Sequence, residues 1–168
     1  DRPDSGIWEL EEQAWTHSRL SCVAGLRSIA RRANRRDAGD WTTLADRLLA
    51  DTAARAVHHS GRWQRTPDDE RVDAALLLPP VRGALLPEDP RTRATLEAVR
   101  TELAEDGYLY RFRHDARRLA EAEGAFLLCG FIMALACWQQ GHHVRALPHD
   151  QLRAVRLPAD PGGYARGL

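Results

Sequence analysis

The sequence predicts an all-α protein whose helices form two layers, and two observations support this. Apolar residues such as Leu20, Val23 and Ala24 recur at three- and four-residue spacing, which is the period of an amphipathic helix. Residues 125–138 contain no charged side chain. This run is too short to cross a bilayer, which takes about 20 residues, and it is expected to form a helix buried nearly all round. Amphipathic helices around a buried one make two concentric layers, with strands contributing little.

The first two helices follow from this periodicity. The first is expected to cover residues 16–34. Asp40 is expected to cap the second helix, and Gly61 to end it. The predicted buried stripe of this second helix consists of Trp41, Leu44, Ala45, Leu48, Leu49, Ala53 and Ala56.

Prolines mark the next two helical segments. Residues 72–78 form a short helical run that Pro79 and Pro80 are expected to end, because proline has no N–H for the helical ladder. Further on, Asp89 followed by Pro90 is typical of an N-cap and the first turn of a helix.

The C-terminal third is less regular. The helix that follows Asp89 is expected to reach Gly107, and residues 108–113 alternate aromatic and polar side chains, which predicts a loop or a short extended piece. Residues 146–168 are set apart as an irregular tail, because they combine proline and glycine with no sustained periodicity. A shift of reading frame within residues 141–150 is one hypothesis for this tail.

Composition excludes several classes of function. The chain has 168 residues, about one domain, with 24 basic and 24 acidic side chains and a net charge of zero. A balanced charge argues against a nucleic-acid partner, whose phosphates attract a basic surface. Three cysteines without a pairing pattern are typical of a reducing compartment, so a cytoplasmic location without a membrane partner is expected.

No metal or other cofactor is expected. His58 and His59 are adjacent, as are His142 and His143. Neighbouring residues in a helix point about 100° apart and cannot ligate as an i, i+4 pair does.

Trp8 and Glu9 are the candidate chemical residues of the first seventeen positions. Apolar surroundings favour the protonated form of a carboxyl group, which is the form that a general acid requires. Trp8 and Trp15 are candidates for the aromatic face on which a sugar rests. The alternative interpretation is a packed ring beside a solvated charge.

Three segments taken together resemble glycoside hydrolase family 15, which comprises glucoamylases and related bacterial glucosidases and trehalases. They are residues 4–9 (Asp-Ser-Gly-Ile-Trp-Glu) with 16–19, residues 72–79 (Val-Asp-Ala-Ala-Leu-Leu-Leu-Pro), and residues 110–112 (Tyr-Arg-Phe) with 123–129. The resemblance covers roughly residues 1–145. It implies a partial (α/α)6 toroid, with about five or six of its twelve helices, from the C-terminal half of the catalytic domain.

The resemblance also implies roles for individual residues. Glu9 matches the general acid, and Trp8 before it is expected to bind substrate. Arg111 matches the arginine that contacts the bound sugar, and Glu123 is expected beside the same subsite; without the resemblance, Arg111 reads as an ordinary surface arginine. Asp73 lies in a shared segment but receives no role.

The second carboxylate of the reaction is not evident. An inverting glycosidase needs a general base about 6.5 to 9.5 Å from the acid. In the family this base follows in a motif with a Glu, and this chain has no glutamate after Glu123. Asp150 and Asp160 are the only later acids, and neither lies in such a motif.

The sequence therefore predicts a fragment of a hydrolase of α-glucosides, either maltooligosaccharides or trehalose-type substrates, that is inactive alone. The alternative is a non-catalytic helical remnant or a protein-interaction module. Part of a closed ring leaves the sides of its inner helices uncovered, so self-association through these faces is expected.

Overall fold

The computed structural model describes residues 2–114, 116, 118–119 and 123–141. Within these residues the chain is mainly helical, with one short two-stranded sheet, as the sequence predicts. The predicted irregular tail, residues 146–168, lies outside the described residues.

The first two helices pack against each other. Helix α1 (Thr16–Ala30) buries Leu20, Val23 and Ala24, which the periodicity predicted. Helix α2 (Arg35–Ala56) contributes Ala45 to the same apolar cluster. The core that α1 and α2 help to form also contains Trp63, Leu76, Val99 and Leu103.

The predicted start of α2 is wrong, and its predicted buried stripe is correct in part. Asn34 is the N-cap, and its Oδ1 accepts hydrogen bonds from the N–H groups of Arg36 and Asp37, both at 3.1 Å. Asp40 lies inside the helix instead of before it. Trp41 and Leu44, near the start of the helix, are 37% and 48% exposed. The rest of the predicted stripe faces the core: Ala45 and Ala56 are buried, and Leu48, Leu49 and Ala53 pack against it.

The two prolines begin a helix rather than end one. A 3-10 helix (Ala74–Leu77) leads directly into α3 (Leu78–Val81), in which Pro79 and Pro80 occupy the first turn. The N–H groups of a first turn have no partner within the helix, so proline costs little there. The sequence reasoning treated the prolines as breakers because it placed the helix one turn too early.

Helix α4 (Pro90–Glu102) begins as predicted. The carboxylate of Asp89 accepts a hydrogen bond from the N–H of Arg91 at 2.9 Å, and Pro90 is the first helical residue. The helix ends before Gly107, because strand β1 (Ala104–Glu105) pairs with strand β2 (Tyr108–Leu109) in an antiparallel hairpin. The short extended piece predicted there is confirmed.

The apolar segment forms helix α5 (Leu127–Gln139), and only one side of it is covered. Its buried side includes Cys129, Ile132 and Met133. The prediction of burial nearly all round is therefore wrong for the described part of the chain, because the opposite side has no cover there. The exposed face of α5 consists of Leu127, Phe131, Leu135 and Trp138, which are 67%, 62%, 51% and 67% exposed. No described helix combines the length and apolarity needed to cross a membrane.

Candidate functional site

Residues 4–13 form a closed loop in front of α1. Asp4 and Gln13 pair through two backbone hydrogen bonds of 3.1 and 2.9 Å. Inside the loop, the N–H of Leu10 donates to the carbonyl of Ser5 at 2.8 Å. These bonds fix the backbone on both sides of Trp8.

Trp15 is the support on which this loop rests. Its indole Nε1 donates to the carbonyl oxygen of Asp4 at 2.8 Å, and only 6% of the residue is exposed. Gly6 lies directly over the ring at φ +65°, and a Cβ atom there would be 3.0 Å from the indole. Trp15 therefore holds the loop and offers no face to a sugar, contrary to the sequence expectation.

Glu9 follows Trp8 in an unusual backbone conformation. Its φ is 53°, a region that residues other than glycine seldom adopt, and its N–H donates to the carbonyl of Gly6 at 3.3 Å. The side chain is exposed, so Trp8 does not enclose it as the sequence reasoning expected. A strained backbone at a candidate general acid is consistent with a functional constraint on this position.

Trp8 makes three directional contacts. Its Nε1 donates to Oδ1 of Asp73 at 2.8 Å. Its ring meets Phe126 edge to face, with the centroids 5.8 Å apart. The guanidinium of Arg111 lies 5.6 Å from the Trp8 centroid, within the range of a cation–π contact.

Arg111 and Glu123 form a two-point ion pair beside Trp8. Nε of Arg111 is 3.1 Å from Oε1 of Glu123, and its Nη2 contacts Oε2. His114 also contacts Oε2, at 3.0 Å from its Nε2. Partial burial opposes ionisation of Glu123, but the hydrogen bonds from Arg111 and His114 outweigh it and lower the pKa of this carboxyl. The same pairing raises the pKa of Arg111.

The structure thus brings together three of the four predicted site residues, Trp8, Arg111 and Glu123, and Glu9 adjoins them through Trp8. The sequence reasoning missed His114. His114 follows Arg111 by three positions, which in an extended piece would put the two on opposite sides. The strand period therefore gave no signal for His114, and its contact with Glu123 is visible only in the structure.

Asp73 and Arg65 form the buried layer behind Trp8. Asp73 is 4% exposed, and burial raises the pKa of its carboxyl despite the hydrogen bond from Trp8. Nε of Arg65 lies 3.4 Å from Oδ2 of Asp73. The Arg65 guanidinium also lies 3.8 Å from the centroid of Phe112 and 5.0 Å from that of Trp15. No sequence pattern singled out Arg65, because a buried arginine outside a helix has no periodicity.

A small cavity of about 10 Å³ lies behind Trp8, with His17, Arg65 and Asp73 in its lining. It offers about the space of one water molecule and is too small for a sugar. Nδ1 of His17 is buried without a hydrogen-bond partner among the described residues. Burial, assisted by the charge of Arg82, lowers the pKa of His17 to about 4.

No three His, Cys, Asp or Glu side chains in the described part of the chain are placed to hold a metal ion. The ring centroids of His58 and His59 are 3.8 Å apart with the planes tilted by 41°, while His142 and His143 lie outside the described residues. Cys129 is a core residue of α5, as the sequence reasoning favoured, and burial raises the pKa of its thiol to about 12.

Sequence comparison finds a match to the model of the family "Glycosyl hydrolases family 15" over residues 1–147. The trehalase of Mycobacterium tuberculosis is 37% identical over 152 residues, which cover 86% of this chain and 22% of the trehalase. The trehalase of Thermoplasma acidophilum is 29% identical over 138 residues, covering 77% of this chain and 23% of that protein. This chain therefore spans less than a quarter of the length of these relatives.

Solved structures of similar fold are also glycosidases. A wild-type glycosidase and a variant in complex with glucose each match with a TM-score of 0.68 and 24% identity. Each match covers 86% of this chain and 41% of the solved chain. At this identity the likeness concerns the fold, which is that of part of a helical glycosidase toroid.

Proposed function

Because the chain belongs to glycosyl hydrolase family 15, we propose that it carries the proton-donor side of a site for α-glucosides. Glu9 is the general acid in this proposal, and Trp8, Arg111 and Glu123 bind the sugar. The observation that carries the proposal is the convergence of Arg111 and Glu123 on Trp8, which is far from them in the sequence and directly precedes Glu9.

The chemistry of these side chains suits a sugar. An indole face packs against the C–H groups of a pyranose ring, while a few polar groups fix its orientation. Arg111 presents hydrogen-bond donors and Glu123 presents acceptors, and a sugar hydroxyl is able to use both. Their mutual pairing holds both groups in one orientation before a ligand arrives.

The proposed reaction needs a general acid and a general base, and Glu9 is the general acid. A protonated Glu9 gives its proton to the glycosidic oxygen as the bond to the anomeric carbon breaks. In the inverting reaction proposed here, a base removes a proton from a water molecule that attacks the opposite face of the sugar.

We propose that this chain alone does not complete that reaction. The low pKa of Glu123 and its contacts with Arg111 and His114 make it a weak base. Asp73 is buried behind Trp8 and accepts its indole hydrogen bond, so it is not placed to activate water. These assignments leave neither Glu123 nor Asp73 free to act as the base that Glu9 requires.

The substrate class is proposed from the relatives. The two proteins compared above are trehalases, which favours trehalose over maltooligosaccharides as the first candidate. Residues 1–145 are proposed to act as one partial catalytic domain, separate from residues 146–168, and the extent of the family match supports this division.

The test is a titration of the purified chain with trehalose, maltose and glucose, followed by nuclear magnetic resonance of the arginine and indole N–H groups. We expect saturable shifts of the Trp8 and Arg111 signals with one of the three sugars, and no release of glucose from either disaccharide. Arg111→Ala is expected to abolish the shifts. Arg100→Ala is the matched control, because Arg100 forms a similar exposed pair with Glu97 at 2.6 Å on α4.

Two outcomes would contradict the proposal. Unchanged signals at saturating sugar would remove the binding site. Glucose release that disappears in Glu9→Gln would show that a base is present after all.

A second candidate function rests on the exposed face of α5. Soluble monomers seldom expose apolar patches beyond about 300–600 Å², and four large side chains lie together on this helix. We propose that two copies of the chain associate through this face. Sedimentation velocity should then show a dimer or larger species that Phe131→Ser converts to monomer, whereas Trp41→Ser on α2 leaves it unchanged. A monomeric wild-type chain would exclude this candidate.

A cytoplasmic location is proposed on the state of the cysteines. Cys22, Cys129 and Cys137 are all free thiols, which is typical of a reducing compartment. Fractionation of cells that produce the protein tests this, and recovery in an oxidising compartment would overturn it.

A further inference from the structure

We infer that Asp73 is the positioning residue of the proposed site, because it ties Trp8 and Arg111 to one buried point. The inference rests on the proposed function and adds a role that the sequence did not assign to Asp73. It draws on two independent connections, one through the side chain and one through the backbone.

The side-chain connection runs to Trp8. Oδ1 of Asp73 accepts from the Trp8 indole and from the N–H of Ala75, each at 2.8 Å. The bond to Ala75 caps the 3-10 helix and fixes the carboxylate relative to the core. The Trp8 indole is therefore held by a group that is itself immobilised, 65 positions away in the sequence.

The backbone connection runs to Arg111. Asp73 pairs with Phe112 in an isolated antiparallel bridge. Within it, the N–H of Ala74 donates to the carbonyl of Arg111 at 2.8 Å. The segment that carries Asp73 thus sets the position of Arg111 directly.

The second carboxylate oxygen is held by Arg65. The Arg65 guanidinium lies 5.0 Å from the ring centroid of Trp15 and 3.8 Å from that of Phe112, and its Nε is 3.4 Å from Oδ2 of Asp73. Removing one member of a buried ion pair leaves an uncompensated charge, so the pair strongly favours a single arrangement. Trp15 also supports the loop that carries Trp8. The loop and the Asp73–Arg65 pair therefore both pack on Trp15.

The consequence concerns the orientation of the Trp8 ring. With its Nε1 anchored on Asp73, the ring holds one plane, against which Phe126 and Arg111 are arranged. Without that anchor the same ring is free to turn about its side-chain bonds, and the aromatic face of the proposed sugar site is no longer fixed.

The experiment follows the Trp8 indole N–H signal in the ¹⁵N-labelled chain, assigned by its disappearance in Trp8→Phe. Asp73→Ser retains a side chain able to cap the 3-10 helix but is too short to reach the indole. It should move the Trp8 signal to the position of a solvent-exposed indole and weaken sugar binding by about tenfold, the effect of one lost hydrogen bond. Asp73→Asn retains the acceptor oxygen and should restore the signal.

Asp69→Asn is the matched control. Asp69 also pairs with Arg65, at 3.5 Å, but Asp73 alone of the two accepts from Trp8. Asp69→Asn should leave the Trp8 signal in place and change sugar affinity by less than about twofold.

The outcomes separate this inference from the proposed function. A Trp8 signal that does not move in Asp73→Ser overturns the inference whatever the sugar does. If that signal moves but the wild-type chain binds no sugar, the anchor stands and the proposed function fails. Should Asp73→Ser not fold, hydrogen exchange in the wild-type chain decides. The Trp8 indole must exchange more slowly than that of Trp41, and equal rates would overturn the inference.

Discussion

The loop of residues 4–13, together with Trp15 beneath it, and the exposed face of α5 both carry tryptophans, but the surroundings of these side chains differ. In the loop region every indole nitrogen has an acceptor, Trp8 on Asp73 and Trp15 on the carbonyl of Asp4. On α5, Phe131 and Trp138 are 62% and 67% exposed. The described chain covers the tryptophans of the loop region, whereas it leaves much of the α5 face exposed.

The difference shows that this fold can orient the side chains of the proposed site without also covering them. Trp8 is positioned by Asp73 and by edge-to-face contact with Phe126. Phe126 directly precedes α5 and is itself 43% exposed, so the uncovered surface begins where the proposed site ends. The described residues therefore define the orientation of the site residues, and the cavity of about 10 Å³ behind Trp8 is too small for a sugar.

The largest expected effect compares two neighbours on α5. Ile132 is 2% exposed and belongs to the core, so Ile132→Ala should lower the free energy of unfolding by about 2–5 kcal/mol. Phe131→Ala removes a larger side chain but one without cover among the described residues, and at protein concentrations too low for association it should change stability by less than about 0.5 kcal/mol. Urea unfolding measures both.

Equal losses at the two positions would contradict the comparison. They would mean that Phe131 is covered in solution, either by a second copy of the chain or by residues outside the described range. Repeating the measurement at several protein concentrations separates these two cases, because only association depends on concentration.

His17 provides a test from behind the loop. Its pKa in the folded chain is about 4, below the ordinary value of 6.5, because burial disfavours the charged ring. The unfolded chain therefore binds a proton between these values and the folded chain does not. Stability is complete above pH 6.5, decreases as the pH falls to 4, and loses nothing further from this group below 4.

The expected loss over this interval is roughly 3 kcal/mol. The measurement is the free energy of unfolding as a function of pH. The decrease between pH 6.5 and pH 4 should be smaller by that amount in His17→Phe, because phenylalanine cannot be protonated. Identical pH profiles for the two proteins would show that His17 is open to water and that the layer behind Trp8 is not tightly packed.

Gly6 tests how closely the loop rests on Trp15. Alanine at this position meets the ring at 3.0 Å and also carries the strain of φ +65°, so Gly6→Ala should cost about 2–3 kcal/mol. Gly39 lies inside α2 with open space around it, and Gly39→Ala should stabilise the chain by roughly 0.5–1 kcal/mol. Thermal unfolding that gives the two variants the same sign of change would refute the close approach.

Local signals allowed much of the fold to be predicted from the sequence. The cap at Asp89 is recognisable because a capping side chain and a first-turn proline are adjacent. The cap of α2 was misplaced because Asn34 and Asp40 are equally good capping residues, and only the packing of α1 against α2 decides between them. Burial of α5 was overestimated because apolarity indicates what a side chain prefers, and not whether a partner is present.

The candidate site residues could be named from the sequence where a short motif carries them, but not where a role depends on contact between segments. Trp8 was named from its aromatic side chain and Arg111 and Glu123 from the family resemblance, and the structure brings the three together. The structural role of Trp15 and the anchoring role of Asp73 depend on hydrogen bonds between segments far apart in sequence. No pattern within a single segment contains that information.

The smallest expected effect concerns Glu9 itself, whose φ of 53° is costly for a residue with a Cβ atom. Glycine at this position removes about 1–2 kcal/mol of backbone strain from the folded chain. It also raises the conformational entropy of the unfolded chain, which lowers stability by roughly 0.5–1 kcal/mol. Glu9→Gly should therefore be neutral or stabilise by up to about 1 kcal/mol, whereas Ala50→Gly at an exposed position of α2 should destabilise by about 1 kcal/mol. Chemical unfolding of both variants gives the comparison.

A loss in Glu9→Gly as large as that in Ala50→Gly would mean that the loop does not hold Glu9 in the left-handed conformation. A gain would mean that the loop maintains a strained carboxylate at the edge of the proposed site at the expense of stability, as expected of a position constrained by function.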